Sequence, residues 1–191
     1  LHADDAGMSH SVNRATIEAL ERGAVTSASF MVPCPWFPEI ARYAAEHPDR
    51  DFGVHLTLTS EWRAYRWGPV APRERVASLV DGDGYLWRTT KQVVEHVTAT
   101  EAEIEWRAQI ERAGRFGVKI SHIDSHMDVG VCRPDLAEVY AELAAEFQVP
   151  ALFVRPESGL PAGYVRAARL AEARQLAMLD ALQQRAVAAF E

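Results

Sequence analysis

The sequence predicts an α/β protein built on a parallel sheet or a (β/α) barrel. Predicted strands alternate with predicted helices along most of the chain, the signature of parallel pairing. Three acid-and-histidine clusters also fall where strands should end: His2-Ala3-Asp4-Asp5-Ala6-Gly7, Gly53-Val54-His55-Leu56 and Ser121-His122-Ile123-Asp124-Ser125-His126. Parallel α/β folds gather their functional groups at the carboxyl ends of strands, so motif and topology agree.

The elements follow in order. After the Asp4-Asp5 turn, Ser9 or Ser11 can cap a helix running through Asn13, Ile17 and Leu20 to Gly23. Thr26 to Val32 reads as a buried strand, closed by Pro33-Cys34-Pro35. A helix with Phe37, Ile40 and Tyr43 inward ends at His47-Pro48, because the residue before proline is pushed out of the helical region. Phe52 to Thr59 is the next strand. Thr98 or Thr100 opens a helix containing Ile104, Ala108 and Ile110, ending near Gly117. Val118 to Asp124 is a third strand, Pro134 starts a helix through Leu136, Val139 and Leu143, and 151–154 forms a fourth strand. The remainder, Gly163 to Phe190, has a helical pattern. The stretch from about 60 to 91 is too long for a plain connection and reads as a lid or binding insertion in a single domain spanning 1–191.

Composition narrows the class. The 191 residues, 48% hydrophobic and 25% charged, suit one globular domain. A formal net charge of -7 and the lack of any basic run argue against nucleic acid as a partner. No apolar stretch approaches the roughly 20 residues that span a bilayer. Two cysteines, Cys34 and Cys132, and no charged-then-apolar leader make the cytoplasm the expected setting. The chain opens on Leu1, with few apolar residues ahead of Asp4, and stops inside an alanine-rich helical pattern; both ends are expected to be cut short.

The clusters carry the chemistry. Two histidines and a carboxylate can hold a divalent ion with positions left for water and substrate, and a spare aspartate can take a proton from that water. Asp4 and Asp5 repel as neighbours unless a cation is near, and at a strand-to-helix turn they can point apart. Strand alternation puts Gly53, His55 and Thr57 on one face. His122, Asp124 and His126 occupy alternate positions; if the strand bends after Asp124, His126 can reach a metal while Asp124 or His122 bonds a ligand from behind. In the insertion, Trp62, Trp67 and Trp87, with Tyr65 and Tyr85, suggest a platform for sugar rings.

As a set and in this order, these motifs resemble the YdjC-like carbohydrate deacetylases, which include chitooligosaccharide and hopanoid-biosynthesis-associated members. The resemblance runs on through Ser11-Val12-Asn13 and Gly23-Ala24-Val25-Thr26-Ser27-Ala28-Ser29 and covers roughly residues 1 to 155. It implies a distorted (β/α) barrel of the polysaccharide-deacetylase type, with Asp5, His55 and His126 on the metal and Asp4 as general base. It implies one divalent ion, magnesium or zinc, and an N-acetylated sugar or oligosaccharide as substrate. The donor set alone would suit zinc, iron, cobalt or nickel better than magnesium. Two departures stand out: Asp128 replaces a third histidine common in relatives, and no histidine follows His126 to serve as the acid.

The expected function is therefore removal of an acetyl group from an N-acetylated sugar or glycolipid by metal-activated water. The alternatives are a sugar-binding relative without catalysis and a metal-dependent hydrolase of another ester or amide. A homodimer through the aromatic insertion or the final helix is also an expectation.

Overall fold

A computed structural model describes residues 1–152 of the chain. Four strands, β1 (His2–Ala6), β2 (Ser27–Phe30), β3 (Asp51–Leu56) and β4 (Ile120–Ser125), pair in parallel and in sequence order. Five α-helices accompany them among the described residues: α1 (His10–Glu21), α2 (Phe37–Glu46), α3 (Thr90–His96), α4 (Ala99–Arg115) and α5 (Pro134–Phe147). Each parallel step needs a crossover, and α1, α2 and α4 lie in the three connections between strands.

The cap chemistry explains the boundaries. Ser9 accepts from the Val12 amide at the start of α1, and Thr98 from the Glu101 amide at the start of α4. Pro134 occupies the first turn of α5, where its missing N–H leaves nothing unpaired. Between the strands and helices, Phe30, Phe37, Phe52, Leu56, Ile110 and Ile123 are buried in one core. Trp106 of α4 meets Tyr140 of α5 in the same core, with ring centroids 6.3 Å apart.

Three expectations need adjustment. The strand expected over 52–59 leaves the sheet after Leu56, because the buried Gln109 side chain takes over the Thr57 backbone, accepting from its amide at 3.0 Å and donating to its carbonyl at 2.7 Å. A short helix, α3, closes the insertion, with Thr89 accepting from the Gln92 amide; seven residues give too little periodicity to stand out in the sequence. The chain at 151–154 starts as a single parallel bridge from Ala151 to Ile123. The rest of that strand, and the helical pattern of 163–190, lie outside the described residues.

The insertion is a folded wall with two 3-10 turns, Arg73–Arg75 and Ala77–Leu79. Its anchor is Glu105 of α4, fully buried, whose carboxyl accepts from the Val70 and Ala71 amides at 2.9 and 2.8 Å. Burial pushes this carboxyl up to about 7 despite those two amides. The neutral form is thus favoured in the fold. Its contribution to stability is fully present below the ordinary value of 4.5 and is lost as pH rises through about 7. Urea midpoints of the wild type should fall relative to Glu105→Gln as pH rises from 4.5 to about 7; a difference independent of pH would count against this account.

Candidate metal centre

Asp5 is delivered by an irregularity at the end of β1. The β1–β2 register shifts between Ala3 and Ala6, and Asp5 takes a left-handed backbone with φ 60°. Such a break re-aims successive side chains, so the two aspartates diverge. Asp4 is exposed, and its carboxylate makes no hydrogen bond or ion pair with the described residues. Asp5 turns inward. Gly7 follows with φ 94°, and a Cβ there would sit 3.2 Å from both Met31 O and Phe37 Cα; only glycine meets both demands. The buried Asn13 holds this turn from α1, accepting from the Gly7 amide at 2.7 Å and donating to Trp36 O and Glu39.

Two imidazoles converge on Asp5. His126 Nδ1 lies 3.0 Å and His55 Nε2 3.4 Å from Asp5 Oδ1. The three donor atoms lie within 4.8 Å of one another, and both histidines are buried. Their rings stand nearly edge to face, with centroids 5.1 Å apart. His126 reaches this place because β4 ends at Ser125 and the next turn is tight, with Met127 and Asp128 both left-handed. Ser125 steadies that turn by accepting from the Gly130 amide at 2.6 Å.

Each histidine has a second carboxylate behind it. His55 Nδ1 lies 2.9 Å from Asp124 Oδ1, and His126 Nε2 donates to Glu61 Oε1 at 3.0 Å. Asp124 also accepts from Ser29 at 2.7 Å and bonds His2 Nε2 at 3.2 Å. Burial alone would raise the Asp5 and Asp124 carboxyls, but the imidazoles facing them hold both well below the usual carboxylate range. Burial would lower His55, yet the Asp124 and Asp5 carboxylates raise it to about 9.

These residues fit a divalent ion. Asp5 Oδ1 is buried and makes no aligned hydrogen bond, although two imidazole nitrogens face it. Buried polar atoms without partners are rare, and a set of two nitrogens and one carboxylate oxygen converging on a point accounts for one. His2, His122 and Asp124 also bring donor atoms within 4.8 Å of one another. There, however, both His2 nitrogens bond Ser27, Ser29 or Asp124, and His122 Nδ1 bonds Ser121 and Asp51, so this group closes as a hydrogen-bond network. His122 contacts none of Asp5, His55 and His126; its ring lies over Gly53, where a Cβ would come within 2.4 Å.

Of the three tryptophans expected to meet sugar, Trp62 is 55% exposed. Trp67 is buried with its indole N–H donating to Thr59 O, and Trp87 donates to Ser78 O and stacks on His96. Those two rings pack inside the insertion. The sequence reading missed Glu61, His2 and Ser29, whose roles depend on which strands become neighbours.

The parallel α/β sheet brings a partly buried aspartate and two buried histidines together at its strand ends, where α/β folds gather functional groups, and that donor set is compatible with a divalent ion. Residues 1–190 match the family model described as YdjC-like protein, and the chain belongs to that family. It is 38% identical over 150 residues to a carbohydrate deacetylase of Brevibacillus brevis, covering 78% of this chain and 56% of that protein. A carbohydrate deacetylase of Thermus thermophilus is 38% identical over 160 residues, covering 84% and 54%. The fold resembles the crystal structure of an Enterococcus faecalis V583 protein named for cellobiose-phosphate cleavage, with a TM-score of 0.77 at 34% identity, covering 91% of this chain and 64% of that one. The chain thus spans a little over half the length of these curated relatives.

The turn makes a direct prediction. Asn13→Ala leaves the buried Gly7 amide without its acceptor and should cost about 1–3 kcal/mol of stability in urea unfolding. An unchanged midpoint would show that Asn13 does not hold the turn.

Proposed function

We propose that this chain is the metal-dependent core of a carbohydrate N-deacetylase acting on an N-acetylated sugar or oligosaccharide. The observation that carries the reading is the convergence of Asp5, His55 and His126 at a buried carboxylate oxygen, in a family whose named relatives are carbohydrate deacetylases. In this reading the four strands and the bridge at Ala151 belong to a distorted (β/α) barrel in a single domain, with the insertion as its lid. Both cysteines are free, which suits a cytoplasmic setting, and no described helix is long and apolar enough to cross a membrane.

An ion held by Asp5, His55 and His126 would supply a Lewis acid for the acetyl oxygen and make water acidic enough to be deprotonated near neutrality. Two imidazoles favour zinc or a neighbouring transition metal over magnesium. Asp4, exposed and without a hydrogen bond or ion pair among the described residues, takes the proton from water. The water oxygen adds to the acetyl carbon, the C–N bond breaks, the acetyl group leaves as acetic acid, and the proton that Asp4 took from water passes to the sugar nitrogen. Asp124 fixes the His55 ring so that Nε2 faces inward. Trp62 offers an exposed ring for the apolar face of a sugar.

Acetate release from N-acetylglucosamine oligosaccharides tests the reading. Asp4→Asn should lower kcat by about 10²–10⁴-fold with metal content unchanged, and Asp5→Asn should abolish metal binding. Equal turnover in Asp4→Asn would remove the base, and wild-type metal affinity in Asp5→Asn would remove the centre. Metal and sugar binding without acetate release would instead select a sugar-binding relative without catalysis.

Metal affinity should also depend on pH. His55 holds its proton up to about 9 in the metal-free protein and must lose it to bind. Affinity should therefore rise as pH increases toward 9, read by competition with a chromophoric chelator. A flat profile would contradict this protonation state.

A further inference from the structure

We infer that Glu61, from the insertion, is a positioning residue of the metal centre, setting which nitrogen His126 presents to the ion. The inference rests on the metal reading of Asp5, His55 and His126 above. The two histidines are held in matching ways through opposite nitrogens. His55 turns Nε2 to Asp5 and Nδ1 to Asp124, whereas His126 turns Nδ1 to Asp5 and Nε2 to Glu61. A ligating imidazole needs its other N–H engaged, which selects the tautomer, fixes the ring and raises its basicity. For His55 the carboxylate on that side is Asp124, whose Oδ1 stands 2.9 Å from Nδ1 as an ion pair without an aligned hydrogen bond. For His126 the corresponding carboxylate is Glu61.

The surroundings of Glu61 suit that task. His126 lies past the end of β4 in a turn containing two left-handed residues, so the strand ladder does not orient its ring. Glu61 itself is bracketed by fixed neighbours. The Ser60 amide donates to Trp87 O at 2.7 Å, and Ser60 Oγ accepts from the Trp67 amide at 3.0 Å. On the other side, Arg88 donates to Trp62 O at 3.0 Å. The Glu61 side chain is 26% exposed, sheltered enough for a hydrogen bond between charged partners to persist. The insertion therefore contributes to building the centre as well as to covering it.

Cobalt(II) titration of the purified chain, with affinity from chelator competition and the visible absorption of the bound ion as a second readout, tests this. Glu61→Ala should weaken binding by about 10–100-fold and shift the cobalt bands, while Glu61→Gln, which keeps an acceptor oxygen in the same place, should recover part of the loss. Asp5→Asn measured beside them separates the two claims. Wild-type affinity and spectrum in both Glu61 variants, with binding lost in Asp5→Asn, would overturn the role of Glu61 and leave the centre standing. Wild-type affinity in Asp5→Asn would overturn both. Glu61→Met keeps side-chain size without an acceptor and should lose affinity as the alanine variant does, so it decides the matter even if the alanine variant folds poorly.

Discussion

The structure is organised around one electrostatic constraint: a partly buried carboxylate, Asp5, with one oxygen out of water against two imidazoles. Taking a carboxylate out of water is expensive unless opposite charge or a cation faces it. Much of the local architecture serves that requirement. The register break in β1 turns Asp5 inward, Gly7 lets the chain double back against Met31 and Phe37, and Asn13 pins the result from α1. Across the sheet, β3 brings His55 directly and β4 brings His126 only by ending in a strained turn. The carboxylates behind the histidines spread the same charge balance outward, through Asp124 to Ser29 and His2, and through Glu61 into the insertion.

Much of this was legible in the residues. Capping serines and threonines, Pro134 and His47-Pro48 marked helix ends that the structure places within a few residues. These signals are local, which is why they survive without knowledge of the fold. The clusters at predicted strand ends marked the region, the family resemblance singled out Asp5, His55 and His126 within them, and the structure brings those three together. What was hidden depended on long-range pairing. Nothing near Thr57 announces that Gln109, far along the chain, will replace its strand partners. Likewise Glu61 looks like an ordinary loop acid until His126 arrives beside it. Alternation suggested one shared face for His122, Asp124 and His126, but the turn after Ser125 sends His126 to the centre and leaves His122 beside Asp51.

The insertion shows how a site can depend on a segment outside its scaffold. Its own tryptophans, Trp67 and Trp87, spend their indole N–H groups on its backbone, and Glu105 clamps it to α4. Tyr65 then reaches back to Met8 O at 2.6 Å, just after the Asp5 turn. Loops that carry function are usually positioned by a rigid framework. Here the loop is itself a small packed unit, stiff enough to present Glu61 and leave Trp62 open to solvent.

The three inward-facing donors stand at sequence positions 5, 55 and 126, on two strands and in the turn that follows a third. An ion shared among them would tie together distant parts of the chain and stabilise the folded state by binding to it and not to the unfolded chain. A peptide that carries the whole donor set must span at least residues 5–126. The centre comes into existence only when β1, β3 and β4 have docked, so loss of the ion and opening of the sheet would be linked events, and metal occupancy would serve as a reporter of completed folding.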